Sequence, residues 1–182
     1  MATRKTVGAV VAGLGLVLSG VLVSGSVAVA RGADPTAPRQ TVAPWAGHLT
    51  KMDAALAAGD VAKAQTEWRE AYGAALGSRR WDGFADAGDA ALRLGRASGA
   101  PWAGVPRARE LYLSALFRAR DTGSLDGVLR VAGAFNTLGD RDVTTHAVRM
   151  ADRLAARGAT PNQRAQLAAM SADRPITIPA DI

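Results

Sequence analysis

Three carboxylates, Asp82, Asp86 and Asp89, stand at i, i+4 and i+7 in a stretch whose apolar periodicity predicts a helix, so all three share one face. Three such side chains together have the chemistry to hold a hard cation or a basic peptide. The spacing equally suits a structural use, in which Asp82 and Asp86 complement the helix N-terminus and Asp89 pairs with Arg93 four residues on. That structural use is the one expected. His48 and His146 are the only histidines and lie about a hundred residues apart, neither with a second ligand at metal spacing. Both are expected to be solvated or capping residues, and no metal site is assigned. Beyond residue 30 there is no Gly-x-Ser-x-Gly, no Ser-x-x-Lys and no phosphate-cradling glycine loop. Glu67 or Glu110 could act as the lone acid of a cell-wall hydrolase, but that chemistry needs a raised pKa and a cleft lined with sugar-stacking aromatics. Two tyrosines and three glutamates fit it poorly, so no catalytic residue and no cofactor is assigned. Trp45, Trp68, Trp81 and Trp102 could form an aromatic ligand surface, although core and hairpin packing is the expected use.

The compartment is read from the N-terminus. Arg4 and Lys5 precede an uncharged run from Thr6 to Ala30 that contains an apolar core, Val7 to Val23, and closes on Ala28-Val29-Ala30. A positive start, an apolar middle and small residues at the end are the parts of an export signal, with cleavage expected after Ala30. The run is also long enough to span about 30 Å of hydrocarbon as an uncleaved anchor, though Gly8, Gly13, Gly15 and Gly20 dilute its hydrophobicity. Either fate carries the rest of the chain outward, so the protein is expected to be periplasmic or extracellular, touching membrane only through residues 7–30 if they are retained. With no cysteine, disulfides, thiol catalysis and cysteine-zinc sites are excluded, and packing must supply the stability. The net charge of +6 falls to +4 once Arg4 and Lys5 are removed. The remaining cations alternate with acids, as at Arg69-Glu70, Arg109-Glu110 and Asp152-Arg153, so no nucleic-acid surface is expected.

Residues 31–44 hold Gly32, Pro35, Pro38 and Pro44 among small and polar residues and read as a flexible tether. From Trp45 to residue 172 the pattern is helical, rich in Ala and Leu and without β-branched runs. Gly59, Gly77, Gly95, Gly123, Gly139 and Gly158 each follow an apolar-periodic segment and are expected as helix C-caps. Asp60, Ser78, Ser124 and Asp140 come directly after four of them and are expected to cap the next helix. Thr160-Pro161-Asn162-Gln163 has the form of a capping box and opens a last helix, Pro161 to Ala172. Residues 173–182 read as an extended tail in which Ile176, Ile178 and Ile182 could add to a partner's sheet edge, making this an accessory subunit.

The units implied recur at about forty-residue intervals, and short helical hairpins of this kind must stack to bury both faces. In Val128, Val131, Ala132, Phe135, Leu138-Gly139-Asp140, then Thr144, Val148 and Ala151, the small, large and aromatic positions fall in the order of the tetratricopeptide repeat, which this segment resembles. Thr144 stands where the repeat prefers Ala, and Ala156 where it prefers Pro. A second copy carries Ala55, Gly59-Asp60, Ala64, Trp68 and Ala71. Another, with Phe84, Gly88, Ala91 and Leu94-Gly95, is interrupted from Ala97 to Pro106 before its second helix, Arg107 to Arg120. Two prolines and Trp102 mark that insertion as an ordered loop.

The resemblance implies an all-α fold, a short α-solenoid of about three helix-turn-helix hairpins plus a C-terminal capping helix. It also implies ligand contacts on the inner face of each first helix: Leu49, Asp53 and Leu56; then Asp82, Asp89, Leu92 and Arg93; then Asp126, Leu129 and Asn136. Leu49 and Asp53 stand where some members of the family begin a Lys and Asn clamp for a C-terminal carboxylate, so that mode is not expected. The function this implies is a non-enzymatic interaction module of a bacterial cell envelope that binds a peptide or protein partner, basic or amphipathic, in the helical groove.

Overall fold

The computed structural model describes residues 42–172; the expected export segment, most of the tether and the C-terminal tail lie outside them. The described residues form seven α-helices and contain no strand: α1 (Ala46–Ala57), α2 (Val61–Ser78), α3 (Trp81–Ala97), α4 (Val105–Asp121), α5 (Leu125–Thr137), α6 (Arg141–Ala155) and α7 (Pro161–Ala172). The all-α class follows from the sequence as expected.

Three of the expected starters cap their helices. Asp60 Oδ1 accepts from the Lys63 amide at 2.9 Å, Ser124 Oγ from Gly127 at 3.1 Å and Asp140 Oδ1 from Val143 at 3.3 Å, each satisfying an amide that has no partner inside its helix. The capping box forms reciprocally, with the Gln163 amide donating to Thr160 Oγ1 at 3.2 Å and the Thr160 amide to Gln163 Oε1 at 2.8 Å.

Two turns differ from expectation. Gly77 lies inside α2, and Arg79 takes the left-handed position at φ 55°. Ser78 closes that helix rather than starting the next, because its hydroxyl donates to the Ala75 carbonyl at 2.7 Å and accepts from the Arg80 amide at 3.2 Å. Gly95 lies inside α3, where a Cβ would come within 2.8 Å of the Gly104 amide nitrogen, and Gly99 makes the turn instead. The inserted segment is a 3-10 turn, Pro101–Gly104, that runs straight into α4 at Val105, so the second helix of this unit starts two residues before Arg107. Pro106 sits in the first turn of α4, where its missing N–H costs nothing.

Each helix packs on its chain neighbour, and α1, α3, α5 and α7 also touch in succession. The main core joins α3 to α7 around Tyr112, Leu116, Val128, Leu129, Val131, Phe135 and Val148, all buried, with Tyr112 meeting Phe135 edge to face at 5.9 Å. Small residues let the helices approach closely: a Cβ on Gly88 would stand 2.6 Å from the Tyr112 ring. Met52, Ala55, Ala64 and Ala90 seal α1 onto α2 and α3, and Trp45 is 1% exposed against Ala71 and Ala75.

The turn Gly139-Asp140 supplies a stability test. Gly139 holds φ 76° with open space around it, so a side chain there is opposed by backbone conformation alone. Asp140 both caps α6 and accepts from Arg109 Nε at 2.7 Å. Gly139→Val with Asp140→Ala is expected to lower the unfolding free energy by about 2 to 4 kcal/mol in urea titrations while the circular dichroism spectrum stays helical. The exposed Glu70→Ala, in the middle of α2, should change it by less than about 0.5 kcal/mol. A double variant that unfolds with the parent would remove the capped turn.

Candidate functional site

The acidic face of α3 is spent inside the molecule. Asp86 Oδ2 accepts from the Trp45 indole at 2.7 Å, and its Oδ1 accepts from Arg130 Nη2 at 2.6 Å. The same Arg130 nitrogen donates to Asp89 Oδ2 at 2.9 Å, and the Tyr112 hydroxyl donates to Asp89 Oδ1 at 2.6 Å. One guanidinium on α5 therefore bridges two carboxylates one turn apart on α3. Burial pushes the Tyr112 phenol well above its usual range, and its hydrogen bond to Asp89 adds to that. Burial works against the charge of Arg130, but its bonds to Asp86 and Asp89 outweigh it and the pKa rises. The expected Asp89–Arg93 pair is replaced: Arg93 Nε reaches across to Asp53 on α1 at 3.0 Å, tying α1 to α3. Asp82 binds Arg80 in the first turn of α3 and accepts from the Gly83 amide at 3.1 Å, close to its expected role, whereas Asp86 serves Trp45 and Arg130 instead of the helix terminus.

The other residues expected on the inner face divide. Leu129 is 0% exposed and belongs to the core, so it is corrected to a packing residue; the i, i+3 pattern that marks a face cannot tell a groove from the layer beneath it. Leu49 and Leu56 are half-buried against Met52 and its neighbours, and Leu92 against the main core. Asp126 accepts from Gln163 Nε2 of α7 at 2.6 Å, and Asn136 lines a shallow surface depression with Ala169, Met170 and Ala172. Arg130 and Tyr112 do not figure among the sequence candidates, because the partners of Arg130 lie 41 and 44 residues away and no local spacing marks them.

His48 Nδ1 lies 2.9 Å from Glu67 Oε2, joining α1 to α2. That hydrogen bond lowers the Glu67 pKa below its usual 4.5, which is the wrong direction for a general acid. Glu110 is paired with Arg107 at 3.0 Å on the surface. Among the described residues no three His, Asp or Glu side chains gather in a way that could hold a metal ion.

A second feature carries no charged cluster and no sequence motif. Between α2 and the C-terminal end of α3, under the inserted 3-10 turn, lies a groove of about 350 Å³. Val61, Trp68, Ala91 and Leu94 give it an apolar floor, Gln65 and Ser98 add polar edges, and Arg107 is the one charged residue in its lining. The Trp68 indole is fixed by donating to the Ala87 carbonyl at 3.0 Å and stacks on Tyr72 with ring centres 5.6 Å apart. The Arg107 guanidinium lies over both rings, at 6.0 and 5.8 Å. On the inserted turn Trp102 is 74% exposed, against the core role expected for the tryptophans, which holds for buried Trp45 and half-buried Trp68 and Trp81.

Compared with known proteins, the chain matches no family model, no curated protein and no solved structure.

Two measurements check this geometry. Arg130→Met leaves Asp86 and Asp89 facing each other. Because the three side chains are 39, 31 and 42% exposed, solvent moderates the effect, and a loss of about 1 to 2 kcal/mol is expected, part of it restored by adding Asp89→Asn. Glu67→Gln tests the other bridge. A carboxylate whose folded pKa lies below 4.5 contributes its stability fully above that pH and loses it as the pH falls through the lower folded value. The gap in urea midpoint between parent and Glu67→Gln should therefore be present at neutral pH and close in acid; a gap that widens on acidification would show the pair is misassigned.

Proposed function

We propose that this protein is a non-enzymatic interaction module of a bacterial cell envelope, a short tetratricopeptide-like solenoid that binds a peptide or protein partner. The observation that carries this reading is Trp102, a large aromatic left 74% exposed on the inserted turn, whose next two residues, Ala103 and Gly104, line the open groove. Burying a large apolar side chain is worth about 1.5 to 3 kcal/mol, so a partner that covers this tryptophan gains from the contact. Further support comes from the succession of contacts α1 to α3, α3 to α5 and α5 to α7, which is how the first helices of stacked hairpins meet. The bridges Asp53–Arg93 and Asp86/Asp89–Arg130 fix the spacing of those helices, so the surface is preorganised and binding spends little on ordering it.

The full chain, immobilised and exposed to solubilised envelope, is expected to retain a discrete envelope protein above background, and peptidoglycan zymography to show no cleared band. Retention of nothing specific would remove the interaction reading. A cleared band abolished by Glu110→Gln would replace it with a hydrolase.

A further inference from the structure

Beyond the junction at Arg130 the arginines stop being paired. Arg80, Arg93, Arg107, Arg109, Arg120 and Arg130 each meet an aspartate or a glutamate. Residues 141–172 hold five arginines against two acids, Asp142 and Asp152, and among the described residues none of those five forms an ion pair. Residues 42–140 are close to balanced, with twelve lysines and arginines against eleven acids. The surplus charge of the helical part is therefore gathered in α6, α7 and the turn between them.

Three of these cations form a row. Arg149 and Arg153 lie one turn apart on α6, and Arg157 continues the line just past its end, where Ala156 keeps helical dihedrals. All three are exposed, because α6 turns its apolar residues, Ala147, Val148, Met150 and Ala151, into the core. The neighbouring acids do not cancel the row. Asp152 stands about 100° round the helix axis from Arg153, and Asp142 lies about two turns before Arg149, in the first turn, where it complements the helix N-terminus. The helix dipole accounts for Arg153 in the last turn but not for three arginines in line.

We infer that this row binds an unbranched polyanion of linked phosphates, a ligand class apart from the protein partner proposed above and held on a different surface. Guanidinium groups fork onto phosphate oxygens, and steps of about 6 Å along the helix offer successive phosphates of one chain successive partners. What the face lacks narrows the class. Among the described residues the exposed large apolar side chains are Val42, Leu76, Trp102 and Phe117, none of them on α6. A protein partner needs a buried apolar or aromatic anchor at the centre of its contact, since exposed ion pairs add little by themselves. Single-stranded nucleic acid needs aromatic platforms for its bases, and a membrane-binding helix needs an apolar face turned to the acyl chains. A polyphosphate needs neither. Each phosphate neutralised releases counterions, so a few unpaired arginines in line suffice for salt-sensitive binding.

The test titrates labelled inorganic polyphosphate of medium length with the full chain, by fluorescence anisotropy at several salt concentrations. Binding is expected, with a slope of log affinity against log salt of about −2, from three contacts at about −0.7 each. Replacing Arg149, Arg153 and Arg157 with Gln should weaken it at least about tenfold and flatten the slope. Replacing Lys51, Arg69 and Arg96 with Gln removes the same charge from α1 to α3 and should leave affinity within about twofold; all six positions are exposed, so both variants keep the fold. No binding by the parent chain would overturn the inference. Equal losses in the two variants would also do so, because net charge alone would then explain the binding. So would tighter binding through the same three arginines to poly-glutamate or to vesicles of an anionic phospholipid, which would assign the row to an acidic protein segment or to a membrane surface. Each of these outcomes leaves the retention of an envelope protein, and with it the interaction reading, to stand or fall separately.

Discussion

The Arg130 guanidinium, shared between Asp86 and Asp89, is the interaction on which the arrangement of the helices turns. Two carboxylates one turn apart on α3 repel each other unless a cation lies between them, and the cation comes from α5. Once Asp86 and Asp89 are held there, their remaining oxygens accept from Trp45, at the start of α1, and from Tyr112, on α4. Four segments of the chain meet through three polar side chains, so the position of each helix is set by directional bonds as well as by apolar contact. The apolar core alone specifies less, because many of its members are alanines that fit several registers equally well.

Small residues make that junction reachable. Gly88 lets the Tyr112 ring lie against α3, and Gly83 lies under the Trp45 ring, where a Cβ would be 3.0 Å from the indole. Large aromatics on glycine then supply the buried area that alanine-rich helices lack, and they bring the indole and phenol within bonding distance of the aspartates. Packing and polar bonding are in this way one arrangement. A larger residue at Gly88 would displace Tyr112 and with it the partner of Asp89.

Much of the helix order was legible in the sequence because its signals are local. Gly59-Asp60, Gly123-Ser124 and Gly139-Asp140 each announce a turn and the cap that follows, and Thr160 with Gln163 announces the last helix. Local signals failed where a tertiary contact overrode them: Gly95 resembles a cap but serves as a floor for Gly104, and Ser78 resembles a starter but closes α2. The acidic triplet was visible, and pairing inside the molecule was one of the two uses read for it. Its partners were not, since pairing Asp89 with Arg93 within one helix was the only option that spacing could offer. The groove left no local trace, because Trp68, Leu94 and Arg107 are gathered only in the folded chain.

The last helix gives the stack a direction. Among its residues only Leu167 is buried, at 8% exposure, and beyond its capping box α7 is tied to α5 by the contact between Gln163 and Asp126. The free energy of local opening is lowest where few apolar groups are covered. Amide protons of α7 are accordingly expected to exchange before those around Val128, Val131 and Phe135. The inserted turn is separated from α7 by α4, α5 and α6, so the groove is expected to keep its shape when α7 opens.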